Sequence, residues 1–242
     1  TECIIPSRSL KSLRPSVEAP MHAVLDFKYV VHTHDLKVIA LTLSDQLFPK
    51  LKLALEGLDW KFIPYIKPGI DLCRQLQSLK DKNDKIFILE NHGLVVCSDD
   101  LIQLQFTIND IGRRLDPHLE RFDAKPKELS IGKVNIEGTG YSFCDDKDIN
   151  KLALKRIWRE RLSKGMSLPD CVVFLGPNVP LLDPYEIGLR EKLIKLSSSN
   201  LPLNSCISLL DQGIIIRDDA LKGTTEMIHC MYDLMSMLPD DI

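Results

Sequence analysis

The amino-acid sequence predicts an α/β layered fold, and three observations carry that prediction. Short apolar runs of strand length, at 29–34, 86–89 and 94–96, alternate with longer stretches whose apolar residues recur every three or four positions. A chain of 242 residues that is 44% hydrophobic can build one large domain or two small ones, each with its own core. The alternation resumes from about residue 149 to the end, so a smaller α/β region is expected behind the first.

Residues 1–15 carry little periodicity, and the opening at Thr1 is expected either of a chain that lost its initiator Met or of a piece of a longer one. Ser16-Val17-Glu18 reads as a helix start: Ser16 can cap, Glu18 suits the positive end, and Pro20 is tolerated in the first turn. That helix carries Met21, His22, Val24 and Leu25. Residues 29–34 follow as a strand and 36–43 as a helix through Val38, Ile39, Leu41 and Leu43. Residues 60–66 are extended, and Lys67-Pro68-Gly69 then starts a helix bearing Ile70, Leu72, Cys73, Leu76 and Leu79. A polar turn at 80–84 leads to strand 86–89, Gly93 and a second short strand at 94–96. Asp99-Asp100 opens a helix with Leu101, Leu104, Ile108, Ile111 and Leu115 on one stripe. Residues 116–148 are richer in charge, Gly and Pro and read as a connector with short strands. The expected organisation is a first domain over 1–120, a connector over 121–148 and a second α/β region over 149–242.

That second region resembles a faded copy of the first. The run from Leu209 to Ile216 can be laid on Leu89 to Val96 by superposing Gly213 on Gly93, and both runs lead through paired aspartates into a helix. Residues 171–176, taken as a strand, can likewise be laid on 29–34. Phe174, Gly176 and Gln212 then stand where the first half has His32, His34 and His92. Strand–turn–strand–helix units also look alike by physics alone, so duplication is one of two readings. In both, any metal chemistry belongs to the first half. The loop 176–180 behind the expected strand is either a rigid turn or a place for a ligand at a strand's carboxyl end.

A net charge of −3 and a pI near 6.1 give no general attraction to nucleic acid or to an anionic membrane. No apolar run approaches the ~18 residues of a membrane span, and no signal-peptide pattern opens the chain. The seven cysteines are scattered, odd in number and never in C-x-x-C spacing, which argues against a disulfide framework or a thiolate zinc knuckle. A reducing compartment, the cytoplasm, is the expectation.

His32-x-His34 and His92 are the most informative residues. On a strand, side chains two apart share a face, so His32 and His34 present two imidazoles together. His92 leaves another apolar run and can bring a third. Three neutral nitrogen ligands suit Zn²⁺ and leave a fourth position open, as in catalytic rather than structural sites. A lone histidine reads first as an ordinary core residue; three of the six histidines at strand ends bring the metal reading at least level with it.

The segments Ser16-Val17-Glu18-Ala19-Pro20-Met21-His22, Val30-Val31-His32-Thr33-His34 and Glu90-Asn91-His92-Gly93-Leu94 resemble, in order and spacing, the class II aldolase/adducin family. That family includes fuculose-phosphate and rhamnulose-phosphate aldolases and ribulose-phosphate 4-epimerase. The resemblance covers roughly residues 12–115. It implies a three-layer α/β/α domain, His32, His34 and His92 as ligands of Zn²⁺ or another divalent metal, and Glu18 as catalytic acid/base. It places Ser16 at a substrate contact and implies a homo-oligomer, dimer or tetramer, with sites near subunit interfaces. His22, Asn91 and Gly93 are expected around the ligands, His22 as a packing or supporting residue.

The chemistry agrees with that implication. Cleaving a carbon–carbon bond beside a carbonyl leaves an enediolate, which a Lewis-acidic cation stabilises and to which a nearby carboxylate returns a proton. Without the resemblance Glu18 reads as decoration of a helix start. Nothing in residues 1–14 matches the family's upstream phosphate-binding region, so the domain is expected to be shortened at its front. Arg8 and Arg14 are surface charges or anion contacts. Tyr65 and Tyr141 qualify as proton donors by residue type only. The expected function is a zinc-dependent aldolase acting on a small sugar or sugar phosphate. An epimerase or decarboxylase on the same site, or a non-catalytic adducin-like interaction module, are the alternatives.

Overall fold

The computed structural model describes residues 16–81, 83–122 and 134–240. The expectations placed on residues 1–15, the shortened front and Arg8 and Arg14 among them, lie outside these residues.

The first unit runs α1 (Ala19–Val24), β1 (Tyr29–Thr33), α2 (Leu36–Thr42), α3 (Phe48–Ala54), β2 (Lys61–Ile63), α4 (Ile70–Leu79), β3 (Ile86–Leu89), β4 (Gly93–Ser98) and α5 (Leu101–Leu115). Its strands form one sheet in the order β1-β4-β3-β2, antiparallel except for the parallel pair β2/β3. Period-two alternation divides the two faces. Ile86, Ile88, Leu94 and Val96 point toward α2, α3 and α5, whereas Phe87, Leu89, Val95 and Cys97 point toward Met21 and Leu25 around α1 and toward Leu72 and Leu76 of α4. The result is the expected α/β/α layering. Burying each such large apolar side chain contributes about 1.5–3 kcal/mol.

A second sheet, order β5-β8-β7-β6, is built from β5 (Tyr141–Phe143), β6 (Leu181–Leu182), β7 (Cys206–Leu209) and β8 (Gly213–Arg217). Helices α6 (Lys147–Leu154), α7 (Arg156–Lys164), α8 (Pro169–Leu175), α9 (Leu189–Ser197) and α10 (Thr224–Met237) surround it. Strand for strand its pairings repeat those of the first sheet. One core joins the two units: α10 packs on α2 as well as on α6 and α8, and Val38, Leu41, Leu152, Trp158, Met231 and Leu234 belong to the same buried cluster.

Three aspartates set helix starts by accepting from the backbone amides two and three residues on: Asp35 for α2, Asp100 for α5 and Asp146 for α6. Helix α1 starts differently from expectation. Glu18 is the cap residue itself and makes no side-chain cap bond, while Ser16 Oγ accepts from the Glu18 amide at 3.2 Å. The Glu18 carboxylate is engaged elsewhere.

The expected strand at 171–176 is helix α8. Pro169 occupies the first turn, and Cys171 and Leu175, four apart, are fully buried while Val172 and Val173 face outward. A β-branched pair inside a short apolar run carried the strand reading; the buried pair has helical spacing. The counterpart of β1 is instead β5, which falls inside the stretch expected to be a connector. Register through β8 then puts Phe143 opposite Ile215 as His32 is opposite Val95. The positions matching His32, His34 and His92 are therefore Phe143, Asp145 and Gln212; Phe174 and Gly176 match none of them. The loop 176–180 follows a helix, which removes the ligand reading given to it.

Candidate metal centre

His32 is the fourth residue of β1, and His34 lies one residue beyond that strand, before α2. His92 sits in the three-residue turn between β3 and β4, where Asn91 adopts φ 53° and Gly93 φ 149°. The turn needs Gly93: a Cβ there would stand 2.1 Å from the Thr33 carbonyl oxygen. That close approach presses the β3–β4 turn against the end of β1 and so brings His92 to His34. The three imidazole centroids lie 4.9, 4.9 and 5.0 Å apart, a near-equilateral triangle.

Glu18, at the head of α1, closes the triangle. Its Oε1 lies 3.3 Å from His32 Nε2, 3.3 Å from His34 Nε2 and 3.0 Å from His92 Nε2. All four donor atoms fall within 4.8 Å of one another. A tetrahedral site with ligand bonds of ~2.0–2.1 Å has edges of about 3.4 Å, close to the three carboxylate-to-nitrogen separations.

The protonation pattern suits a cation. His32 Nδ1–H donates to the Leu94 carbonyl at 3.0 Å, which leaves Nε2 with a lone pair. That nitrogen is buried without a hydrogen-bond partner, and it faces the Glu18 oxygen. Burial pushes the His32 pKa down to about 4, against the opposing pull of Glu18, and burial likewise lowers that of His92. Burial also works to raise Glu18, but the fields of the histidines and the hydrogen bond from His92 prevail and hold its carboxyl below the ordinary value. At neutral pH Glu18 is thus a carboxylate, and His32 and His92 are neutral imidazoles. The His32 lone pair set against the Glu18 carboxylate is an arrangement that a cation could bridge.

The surrounding residues divide. His22 is exposed and stands outside the four-residue cluster; with Ser16, Glu18, Ala19 and Ala23 it lines a cavity of 560 Å³. Asn91 donates its backbone amide to Thr42 Oγ1 at 3.0 Å, and its Oδ1 is buried without a partner. A second cavity, of 490 Å³, is lined by Asn91, His92, Tyr65 and Lys67 from the first unit and by 166–169 and Val172 from the second. Tyr141 is in β5 of the other sheet, where its hydroxyl donates to the Asn204 carbonyl and burial pushes its pKa up to about 12, so it is no proton donor to this centre. Tyr65 lines the cavity beside His92.

One residue at the centre escaped the sequence reading. Asp170, in the first turn of α8, accepts at 2.6 Å from His34 Nδ1–H. Leu168-Pro169-Asp170 carries the signal of a helix start, Pro then an acidic residue, which would have flagged the helix but not the contact.

Residues 4–109 match the family model described as the Class II Aldolase and Adducin N-terminal domain. The chain is similar to an uncharacterized oxidoreductase of Bacillus subtilis (strain 168), YuxG, at 30% identity over 97 residues, which cover 39% of this chain and 14% of that protein. It is also similar to a 3-oxo-tetronate 4-phosphate decarboxylase of Haemophilus influenzae, at 30% identity over 101 residues, 37% of this chain and 48% of that protein. The matched segments span less than half of either relative. Among solved structures, the N-terminal class II aldolase domain of a conserved protein from Thermoplasma acidophilum aligns with TM-score 0.39 and 27% identity, over 43% of this chain and 47% of that one.

Proposed function

We propose, from the premise that residues 4–109 belong to the class II aldolase and adducin family, that this chain is a zinc-dependent lyase. It makes or breaks a carbon–carbon bond in a small sugar or sugar phosphate. The observation that carries the reading is the convergence of three imidazole Nε2 atoms on one oxygen of Glu18, at 3.0–3.3 Å.

His32, His34 and His92 would hold the cation, with Glu18 as the fourth donor. When bound, it supplies Lewis acidity that draws negative charge from the oxygens flanking the breaking bond. Glu18 stands at the centre and also lines a cavity, so its carboxylate delivers or removes the proton at the reacting carbon. The side chains of His32 and His92 are nearly sealed from water, which keeps them neutral and fixed. Tyr65 and Lys67, beside His92 in the second cavity, offer a hydroxyl and a cation to the far end of a polar, anionic substrate.

A decarboxylase on the same site is the second reading, favoured by the similarity to the Haemophilus influenzae decarboxylase. Loss of CO₂ beside a carbonyl leaves the same kind of charge as retro-aldol cleavage. The test is metal analysis of the purified protein followed by incubation with ketose and keto-acid phosphates. Aldehyde release is expected, with CO₂ release identifying the second reading and inversion at carbon the epimerase one. A protein that purifies and titrates without stoichiometric metal overturns the enzyme reading and leaves an adducin-like interaction module. Sedimentation of the same sample tests the homo-oligomer that belongs to this proposal.

A further inference from the structure

Set against each other, the two units differ by one α-helix each among the described residues. The elements β1, α2, α3, β2, α4, β3, β4 and α5 of the first have counterparts in β5, α6, α7, β6, α9, β7, β8 and α10 of the second. The first unit adds α1, which carries Glu18. The second adds α8, between α7 and β6, where the first unit runs from α3 into β2 without a helix.

This added helix does not cover its own sheet's version of the site. It reaches across to the first unit. Asp170 Oδ2 accepts at 2.6 Å from His34 Nδ1–H, 136 residues away in sequence, and the segment 166–169 with Val172 walls the cavity beside His92. The placement is rigid. Cys171 and Leu175 are fully buried, the Cys171 thiol donates to the Met227 carbonyl of α10, and α10 packs on α2, the helix that follows His34.

We propose that Asp170 is a positioning residue of the metal centre: by accepting from Nδ1–H it holds the His34 ring and its tautomer so that Nε2 points at the ion. The second unit is then a working part of the centre. The inference rests on the metal reading above. A carboxylate on the far nitrogen of a ligating imidazole fixes ring orientation and strengthens the ligand, and losing such a partner typically weakens metal binding about 10–100-fold. Glu18 and Asp170 thus grip the site from opposite added helices, one directly and one through His34.

The competing explanation is an ordinary surface ion pair, since half of the Asp170 side chain is exposed. Zinc affinity, measured by competition with a chromophoric chelator, separates the two for the full chain, Asp170→Asn and Asp170→Ala. The expected result is one zinc per unaltered chain, Asp170→Ala weaker by about 10–100-fold, and Asp170→Asn, which keeps an uncharged acceptor, in between. Metal-free melting temperatures of the three should agree within about 2 °C. If Asp170→Ala fails to fold, Asp170→Asn carries the same comparison. Zinc binding unchanged in both variants overturns the inference while leaving the metal reading intact, and affinity lost only in step with metal-free stability overturns it too. An unaltered chain that binds no zinc overturns both.

Discussion

The two sheets share strand order and register, yet one closes on ligand atoms and the other does not. Each has a three-residue turn with a left-handed second residue, Asn91 at φ 53° and Asp211 at φ 56°, followed by a positive-φ glycine, Gly93 and Gly213. Each has an aspartate cap after its edge strand, Asp35 and Asp146. At the three ligand places the second unit carries Phe143, Asp145 and Gln212, and the Oε1 of buried Gln212 has no partner. Among the described residues of the second unit, which begin at 134, no helix stands before β5 to bring a carboxylate. What the backbone needs is present twice; what a metal needs is present once. Turn and cap residues answer to folding, whereas the second unit keeps the same turn and cap without any imidazole at the matching places.

The sharpest way to break this comparison is to exchange matched residues. His92→Ala should abolish stoichiometric metal, a loss beyond the ~100-fold of an outer partner, whereas Gln212→Ala should leave metal content unchanged. Metal analysis of the two purified variants reads the contrast, and equal metal content in both would show that the first unit is not special. Next in size, Glu18→Gln keeps shape but removes the proton carrier, and turnover should fall about 10²–10⁴-fold. Asp145→Asn in the second unit should not change it in the same steady-state assay.

The glycines give a smaller, structural contrast. Gly93→Ala would drive a Cβ into backbone at 2.1 Å, whereas Gly213→Ala meets the Asn150 side-chain oxygen at 2.5 Å, which can shift only by weakening the hydrogen bond it accepts from the Ile214 amide. Chemical denaturation should show Gly93→Ala losing more than about 4 kcal/mol and Gly213→Ala about 1–3 kcal/mol. Smallest is a pH effect confined to the first unit. The folded pKa of His32 is held near 4, below the ~6.5 of an unfolded chain, so the unfolded state takes up its proton first as pH falls. Stability of the metal-free protein should therefore be full above about pH 6.5 and decline toward pH 4, by on the order of 1–3 kcal/mol for this residue. His32→Phe, the residue found at the matching place, should reduce that slope in a melting-temperature series and leave the part that belongs to His92.

Much of the first unit was legible before any coordinates. Strand 86–89 coincides with β3, and Asp100 caps α5 where the paired aspartates pointed. His32, His34, His92 and Glu18 were named from residue type, spacing and family resemblance, and the structure brings these four together. The second unit was harder to read because its signals are weak or misleading. Strand β5 is three residues long and owes its state to pairing with β8, so no periodicity of its own marks it. Val172 and Val173 have strand character, but the pair that decides is Cys171 and Leu175, buried against α10.

Residue type, spacing and family resemblance picked out the donors, and local spacing placed the two strand histidines on one face, because a period of two or of 3.6 is written in neighbouring residues. It could not settle that His92 meets His34, or that Asp170 reaches the same ring across 136 residues. Those meetings depend on Gly93 admitting the Thr33 carbonyl and on α10 seating α8 beside α2. Contacts between distant segments arise from close packing of whole elements, and no short stretch of chain encodes that.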